Sequence, residues 1–149
     1  MKKSIIMIIF VIALGIFSGK VIYDKFSVYA FNTNNFDTIY MLQLGVYSNK
    51  NMLNNDTKDI VNKLVVKENN NYYVYVGISK DKDNLKKISK IYNKLGYNLY
   101  VKEENINNEY FLNNLEQFDI LLKSSTTDDE INSINSVILS SYEENIINK

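Results

Sequence analysis

The sequence predicts an α+β fold: a four-stranded antiparallel-type sheet in β-α-β-β-α-β order, with two helices on one face. Two segments with strand periodicity carry most of this prediction, YMLQLGVY at residues 40–47 and YYVYVGI at residues 72–78. A third observation is the helical pattern of residues 81–95, whose apolar positions recur every three or four residues. An N-terminal transmembrane helix is predicted before this domain, and a C-terminal helical hairpin after it.

The first predicted strand, residues 40–47, has two distinct sides because successive side chains of a strand point in opposite directions. Its core side is expected to carry Tyr40, Leu42, Leu44 and Val46. Its opposite side is expected to carry Met41, Gln43, Gly45 and Tyr47.

The next segments predict a short helix and a β-hairpin. A helix is expected after Ser48, where Met52, Ile60 and Leu64 recur at roughly helical spacing. A short strand at residues 64–67, a turn at residues 68–71 and a strand at residues 72–78 follow. The core side of this last strand is expected to carry Tyr72, Val74, Val76 and Ile78, and its other side Tyr73, Tyr75 and Gly77.

Residues 81–95 predict a helix that ends before Gly96, and residues 97–102 predict the last strand. The apolar stripe of the helix consists of Leu85, Ile88, Tyr92 and Leu95. The strand is expected to turn Tyr97, Leu99 and Val101 toward the core. With both helices on one face, the uncovered face of the sheet would carry Gln43, Gly45, Tyr47, Tyr73, Tyr75, Asn98, Tyr100 and Lys102.

Residues 105–149 predict two amphipathic helices joined by a turn at residues 124–127. Asn108 is a candidate N-cap of the first helix, and Thr126 or Thr127 of the second, with Asp129 or Glu130 completing a capping box. The apolar stripes are Phe111, Leu115, Phe118 and Leu122, and then Ile131, Ile134, Ile138 and Tyr142. Packing on the domain is favoured over docking of a partner, and both alternatives stay open.

Residues 1–23 are predicted to be an uncleaved membrane anchor. Lys2 and Lys3 precede the apolar segment 4–23, in which Lys20 is the only charged residue. A spanning helix needs about 20 residues, and a lysine near its end can extend its ammonium group to the interface. A cleaved signal peptide is the alternative, although no suitable cleavage site lies close to the apolar run.

The two N-terminal lysines favour a cytoplasmic N-terminus, which places the rest of the chain outside the cell membrane. Residues 24–37 are then a short linker, residues 38–104 the sheet domain, and residues 105–149 the helical hairpin. The expected localisation is the cell membrane, as a single-pass protein with an extracytoplasmic domain.

The composition excludes most enzyme classes. The chain lacks Cys, His, Pro and Trp, so zinc sites, cysteine nucleophiles and histidine acid–base chemistry are absent. We therefore expect no catalytic residue, metal or cofactor. All 17 basic residues are Lys and the net charge is zero, which argues against nucleic acid. Charge is uneven: residues 38–102 hold 11 Lys against 5 acids, and residues 103–149 hold 2 Lys against 10 acids.

The strand motifs resemble those of the SPOR (sporulation-related repeat) domains, which bind bacterial cell-wall glycan. The similarity covers about residues 38–104. It consists of Gln43-Leu44-Gly45-Val46-Tyr47, Tyr73-Val74-Tyr75-Val76-Gly77, the helix end Leu95-Gly96 and a closing strand at residues 97–101. Where this family often has an Arg on the third strand, the chain has tyrosines.

The resemblance implies binding to peptidoglycan strands that lack stem peptides, which accumulate at division septa. Carried over by position, Gln43, Tyr47, Tyr73 and Tyr75 match the glycan-facing sheet of the family. Tyr rings suit the C–H face of a pyranose, and Asn98 and Tyr100 add groups that can bond sugar hydroxyls. Alternatives are a nucleic-acid-binding sheet, which the predicted location disfavours, and a membrane-anchored adaptor that binds a protein partner through its acidic C-terminal helices.

Overall fold

The computed structural model describes residues 36–148 and confirms an α+β fold with a four-stranded antiparallel sheet and four α-helices. The strands are β1 Asp37–Tyr47, β2 Leu64–Glu68, β3 Asn71–Ser79 and β4 Tyr100–Ile106. The helices are α1 Lys50–Asp56, α2 Lys82–Lys94, α3 Glu109–Ser124 and α4 Asp128–Tyr142, followed by a π-helical turn at Glu143–Ile147. The strand order in the sheet is β2-β3-β1-β4.

The predicted anchor, residues 1–23, and the predicted linker up to residue 35 lie outside the described residues. Among residues 36–148, none of the helices combines the length and the apolar character that crossing a membrane requires.

The helix ends follow the capping rules that the sequence predicts. Asn108 accepts a hydrogen bond from the backbone N–H of Phe111 at 2.9 Å and so caps α3. Thr127 and Glu130 form the predicted capping box at the start of α4. After α2, Gly96 has a φ of +87°, a left-handed conformation that costs glycine little.

A two-residue turn joins β2 to β3. Asn69 and Asn70 have φ values of 48° and 65°, and asparagine tolerates this left-handed region better than most residues. Two consecutive left-handed residues match the twist of the flanking strands, which is why such turns favour tight hairpins. The predicted turn at residues 68–71 is confirmed.

The pairing of β1 with β3 is interrupted near its middle by two β-bulges. Gln43 pairs with Tyr75, whereas Leu44 of β1 and Val76 of β3 have no direct partner in the ladder. Each bulge inserts one extra residue, which reverses the faces of all residues beyond it in that strand. The simple alternation predicted from the sequence therefore holds for only half of each strand.

The bulges give the sheet two faces of mixed composition. One face, here called the hairpin face, carries Ile39, Met41, Gln43 and Val46 of β1, Tyr73, Tyr75 and Ile78 of β3, and Tyr100, Lys102 and Glu104 of β4. The opposite face, here called the α2 face, carries Tyr40, Leu42, Gly45, Tyr47, Val74, Gly77 and Val101. Helix α2 packs so closely here that a Cβ atom at Gly77 would lie 3.0 Å from Cγ2 of Ile88.

The α3–α4 hairpin packs on the hairpin face. Tyr142 of α4 lies close enough to Glu104 and Lys102 for both charges to influence the pKa of its hydroxyl. Its ring meets Phe111 of α3 edge-on, with 5.3 Å between ring centroids. Phe111 is fully buried, so the hairpin shares one hydrophobic core with the sheet.

The prediction of an uncovered sheet face is therefore wrong for most of this face. Ile39 and Met41 lie on it by simple alternation from Gln43, the bulge at Val76 adds Ile78, and all three side chains are fully buried. Apolar side chains on a sheet need a second layer against which to pack, and the hairpin supplies it.

The last strand also differs from its prediction at residues 97–102. β4 runs from Tyr100 to Ile106, so it is displaced by several residues toward the C-terminus. Its partner is the first half of β1, from Asp37 to Gln43. The ladder with β1 overrides the local apolar pattern of residues 97–101, and Val101 is left exposed.

A cluster of buried polar groups ties α3 to the end of β3 and the start of α2. The Asp119 carboxylate accepts hydrogen bonds from the Ser79 hydroxyl, from the backbone N–H of Lys80 at 2.9 Å and from Nδ2 of Asn84 at 3.0 Å. Ser79 and Asn84 are buried, and the carboxylate is the charged acceptor that both of them share.

Helix α4 satisfies the backbone at the bulge in β3. Asn135 is fully buried, and its Nδ2 donates to the Val76 carbonyl oxygen at 2.8 Å. The pairing of β2 with β3 ends at Tyr75, so Val76 lies beyond its reach. The side-chain hydrogen bond thus replaces a missing ladder bond.

The burial of the Tyr142 side chain predicts that the stability of the fold decreases at alkaline pH. Burial raises the pKa of Tyr142 to about 12, whereas an unfolded chain has a tyrosine pKa near 10. The unfolded state loses its proton first as the pH rises. The stabilisation is therefore complete below about pH 10 and is lost between about pH 10 and 12. We expect the Tyr142→Phe variant, which cannot ionise, to lose unfolding free energy less steeply over this window.

Urea titrations of both chains at about pH 9 and about pH 11.5 check this expectation. Tyr110→Phe is the matched control, because it removes one tyrosine hydroxyl from an exposed position. If the unfolding free energies of Tyr142→Phe and Tyr110→Phe fell equally between the two pH values, the expectation would be contradicted.

Candidate functional site

A row of polar and aromatic side chains crosses the end of the hairpin face that the hairpin leaves open. Gln43 of β1 pairs with Tyr75 of β3 on one side and with Tyr100 of β4 on the other. Neighbouring strands are about 4.8 Å apart, so the row spans about 10 Å. Tyr73 lies two residues from Tyr75 along β3 and shares its face. Four of the six predicted glycan-binding residues are thus brought together.

The exposure of this row falls from β4 toward β3. Tyr100 is 67% exposed, Gln43 and Tyr73 are partly buried, and Tyr75 is only 3% exposed. The expectation that Tyr75 lies on an open surface is therefore wrong, because its side chain belongs to the core beneath the hairpin. Tyr75 can support the row but cannot offer its ring to a ligand.

Lys102 places a fixed positive charge beside the row. Its Nζ lies 3.4 Å from the Tyr75 hydroxyl and 3.0 Å from a Glu104 carboxylate oxygen. Burial disfavours the ammonium form, but the bonds to Glu104 and Tyr75 outweigh it and raise the pKa of Lys102 above its ordinary value. The side chain therefore stays protonated, so it can donate hydrogen bonds but cannot accept them.

Two predicted site residues do not join the row. The bulge at Leu44 turns Tyr47 to the α2 face, where burial and the nearby Asp56 carboxylate raise the pKa of its hydroxyl. Asn98 is exposed and lies two residues before the start of β4, so the strand ladder does not fix its position.

Val46 joins the open surface, although the sequence predicts it to be in the core. It pairs with Tyr73 on the hairpin face and is about half exposed. Its side chain adds an apolar patch beside the rings. We call the open surface formed by Gln43, Val46, Tyr73 and Tyr100 the ring strip.

The chemistry of the ring strip is that of a binding surface. Tyr100 offers a ring face, the Gln43 amide can both donate and accept hydrogen bonds, and Val46 offers apolar contact. The strip lies on one face of the sheet and is open to solvent at Tyr100 and Val46. Such a surface suits an extended polymer better than a small molecule, which needs a concave pocket.

No protein-family model, curated protein or solved structure matched the chain in comparisons with known proteins. The resemblance to SPOR domains therefore stays a prediction that depends on the strand motifs.

Proposed function

We propose that this chain binds cell-wall glycan without catalysing a reaction, as a single-pass membrane protein with an extracytoplasmic domain. The ligand class is peptidoglycan strands that lack stem peptides, and binding would localise the protein at sites of division or wall remodelling. One observation carries the proposal: Gln43, Tyr73 and Tyr100 lie together on an open end of the hairpin face.

The side chains of the ring strip suit a sugar polymer. A pyranose has an apolar C–H face that fits the exposed Tyr100 ring, and its hydroxyl and acetamido groups match the Gln43 amide. Lys102, two residues after Tyr100 on β4, adds a donor for a sugar oxygen beside the strip. Absence of stem peptides matters because a flat strip admits a bare chain more readily than a branched one.

The position of the strip at the sheet edge supports binding to a long chain. β4 is an edge strand, so the strip is not bounded by another strand beyond Tyr100. A glycan longer than the strip can therefore pass over it. Individual contacts would be weak, and confinement of the protein to a membrane would raise the occupancy along a repeating polymer.

The test compares retention of the full chain on amidase-treated and intact sacculi. We expect stronger retention on the treated sacculi, where stem peptides have been removed. Tyr100→Ala is expected to weaken it roughly tenfold, about 1.4 kcal/mol, because the exposed ring is lost. Gln43→Ala is expected to act in the same direction.

Tyr110→Ala is the matched control, because Tyr110 is also 67% exposed but lies on α3. It should leave retention unchanged. Equal retention on intact and treated sacculi would overturn the proposal. A Tyr100→Ala variant that binds as well as the Tyr110→Ala control would also overturn it.

A further inference from the structure

The α3–α4 hairpin has a strongly acidic surface. Residues 109–148 contain eight carboxylates against one lysine, a net charge of −7. Some carboxylates have partners within the fold: Asp128 pairs with Lys94 at 2.7 Å, and Glu130 accepts the backbone N–H of Thr126 at 3.0 Å. Asp129 forms no ion pair within residues 36–148. The surface thus keeps negative charge that the fold does not use.

An open groove of about 510 Å³ runs between α3 and α4 close to their connecting turn. Its apolar side chains are Leu121 of α3 and Ile134 of α4, and its acidic side chains are Asp129 and Glu130. Serines 124, 125 and 133 complete the lining, and their small size keeps the groove open.

Exposed apolar side chains continue the groove along α4. Val137 lies three residues after Ile134, so both are on the same side of the helix. Val137 is 50% exposed and Leu121 is 49% exposed. Val137 lies outside the core side of α4, which is formed by Ile131, Asn135, Ile138, Leu139 and Tyr142, whereas Ile134 lies at its margin and packs partly against the core. Packing within the fold therefore does not account for the exposed apolar area of Leu121 and Val137.

We propose that this groove binds an amphipathic helix of a partner protein that carries Lys or Arg beside its apolar stripe. A third helix seated between two others is a common arrangement, with apolar residues spaced three or four apart entering the groove. Basic residues on either side of that stripe would meet Asp129 and Glu130. A glycan offers no such cations, so we expect the groove and the ring strip to bind different ligands.

Charge decides between the candidate occupants. A second copy that docked through its own hairpin would bring another acidic surface, and two such surfaces repel each other. A basic helix gains attraction at the same place. Its binding is expected to weaken as salt is added, because exposed charges are screened within about 10 Å at 0.1 M salt.

The experiment titrates the full chain with two synthetic helical peptides of about 21 residues, with Leu at heptad positions a and d and either Lys or Glu elsewhere. We expect the Lys peptide to bind and the Glu peptide not to bind. The double variant Leu121→Ser/Val137→Ser should weaken the binding of the Lys peptide at least tenfold. Asp129→Asn should weaken it severalfold.

Two controls separate this groove from general attraction to an acidic protein. Ile120→Ser removes a side chain that is 63% exposed on α3 outside the groove, and Glu68→Gln removes one charge at the far end of β2. Both should bind the Lys peptide like the unmodified chain. Equal losses in controls and groove variants would overturn the proposal. Self-association of the full chain that the double variant abolishes would also overturn it, since the occupant would then be a second copy.

Discussion

A chain that lacks residues 107–149 is expected to lose its cooperative fold rather than to gain an uncovered sheet. The hairpin contributes Phe111, Leu115, Leu122 and Ile138 to the core, and each side chain is at most 1% exposed. Removing one buried side chain of this size costs about 2–5 kcal/mol, and a whole domain is stable by only about 5–15 kcal/mol. Loss of four such side chains, with Ile39 and Met41 newly exposed, exceeds that margin.

The measurement is urea unfolding followed by circular dichroism, with Phe111→Ala as an intermediate variant. Phe111→Ala should lower the unfolding free energy by about 3–5 kcal/mol, while the deletion should abolish the cooperative transition. A deletion chain that unfolds cooperatively and binds treated sacculi more tightly would contradict this expectation. The hairpin would then be a removable cover rather than part of the core.

Asp119→Ala is expected to destabilise the chain by about 2–4 kcal/mol, although it removes no large apolar group. The carboxylate accepts hydrogen bonds from the Ser79 hydroxyl, the Lys80 backbone N–H and the Asn84 amide. Its loss leaves the Lys80 N–H without its acceptor. The Ser79 hydroxyl and the Asn84 amide each lose a charged acceptor and keep only a backbone carbonyl, that of Asp81 and that of residue 119. A buried donor without a partner costs more than an ordinary hydrogen bond contributes.

Glu116→Ala is the matched control for Asp119→Ala. Glu116 lies three residues earlier on α3 and forms an exposed ion pair with Lys80 at 2.6 Å. Exposed ion pairs contribute about 0–1 kcal/mol, so the urea midpoint should barely move. Similar losses in the two variants would show that Asp119 acts through net charge and not through its hydrogen bonds.

The helices could be predicted from the sequence because their signals are local. Asn108 and the Thr127/Glu130 pair satisfy N–H groups within one turn, and Gly96 ends α2 by its own backbone preference. The apolar stripes of the hairpin were likewise visible. The surface on which the hairpin packs could not be predicted, because helical periodicity shows which side of a helix is buried but not what it packs against.

The faces of the strands could be predicted only in part. Residues on one side of each bulge follow simple alternation, and residues on the other side are reversed. The sequence did contain a signal: the unpaired residues Leu44 and Val76 each directly precede a glycine, Gly45 and Gly77. A glycine inside a strand pattern suggests a bulge.

The candidate site could therefore also be predicted only in part. Gln43, Tyr73 and Tyr100 lie together as predicted, whereas Tyr47 is reversed by the bulge and Tyr75 is buried. The burial of Tyr75 depends on a hairpin whose helices begin more than 30 residues later in the chain. The role of Asp119 is equally long-range, so local sequence patterns could not predict either feature.

The direction of β1 has a mechanical consequence for the proposed function, in which a membrane tether precedes the domain. Preceding residues join β1 at Asp37, and Gln43 lies six residues further along, about 20 Å away. Tension between the tether and a bound polymer would therefore run along a central strand held on both sides by β3 and β4. Ladder bonds lie across that direction, so many of them would share the load at once instead of opening one after another. Such a shear arrangement resists pulling well, which suits the proposed link between a membrane and a wall polymer.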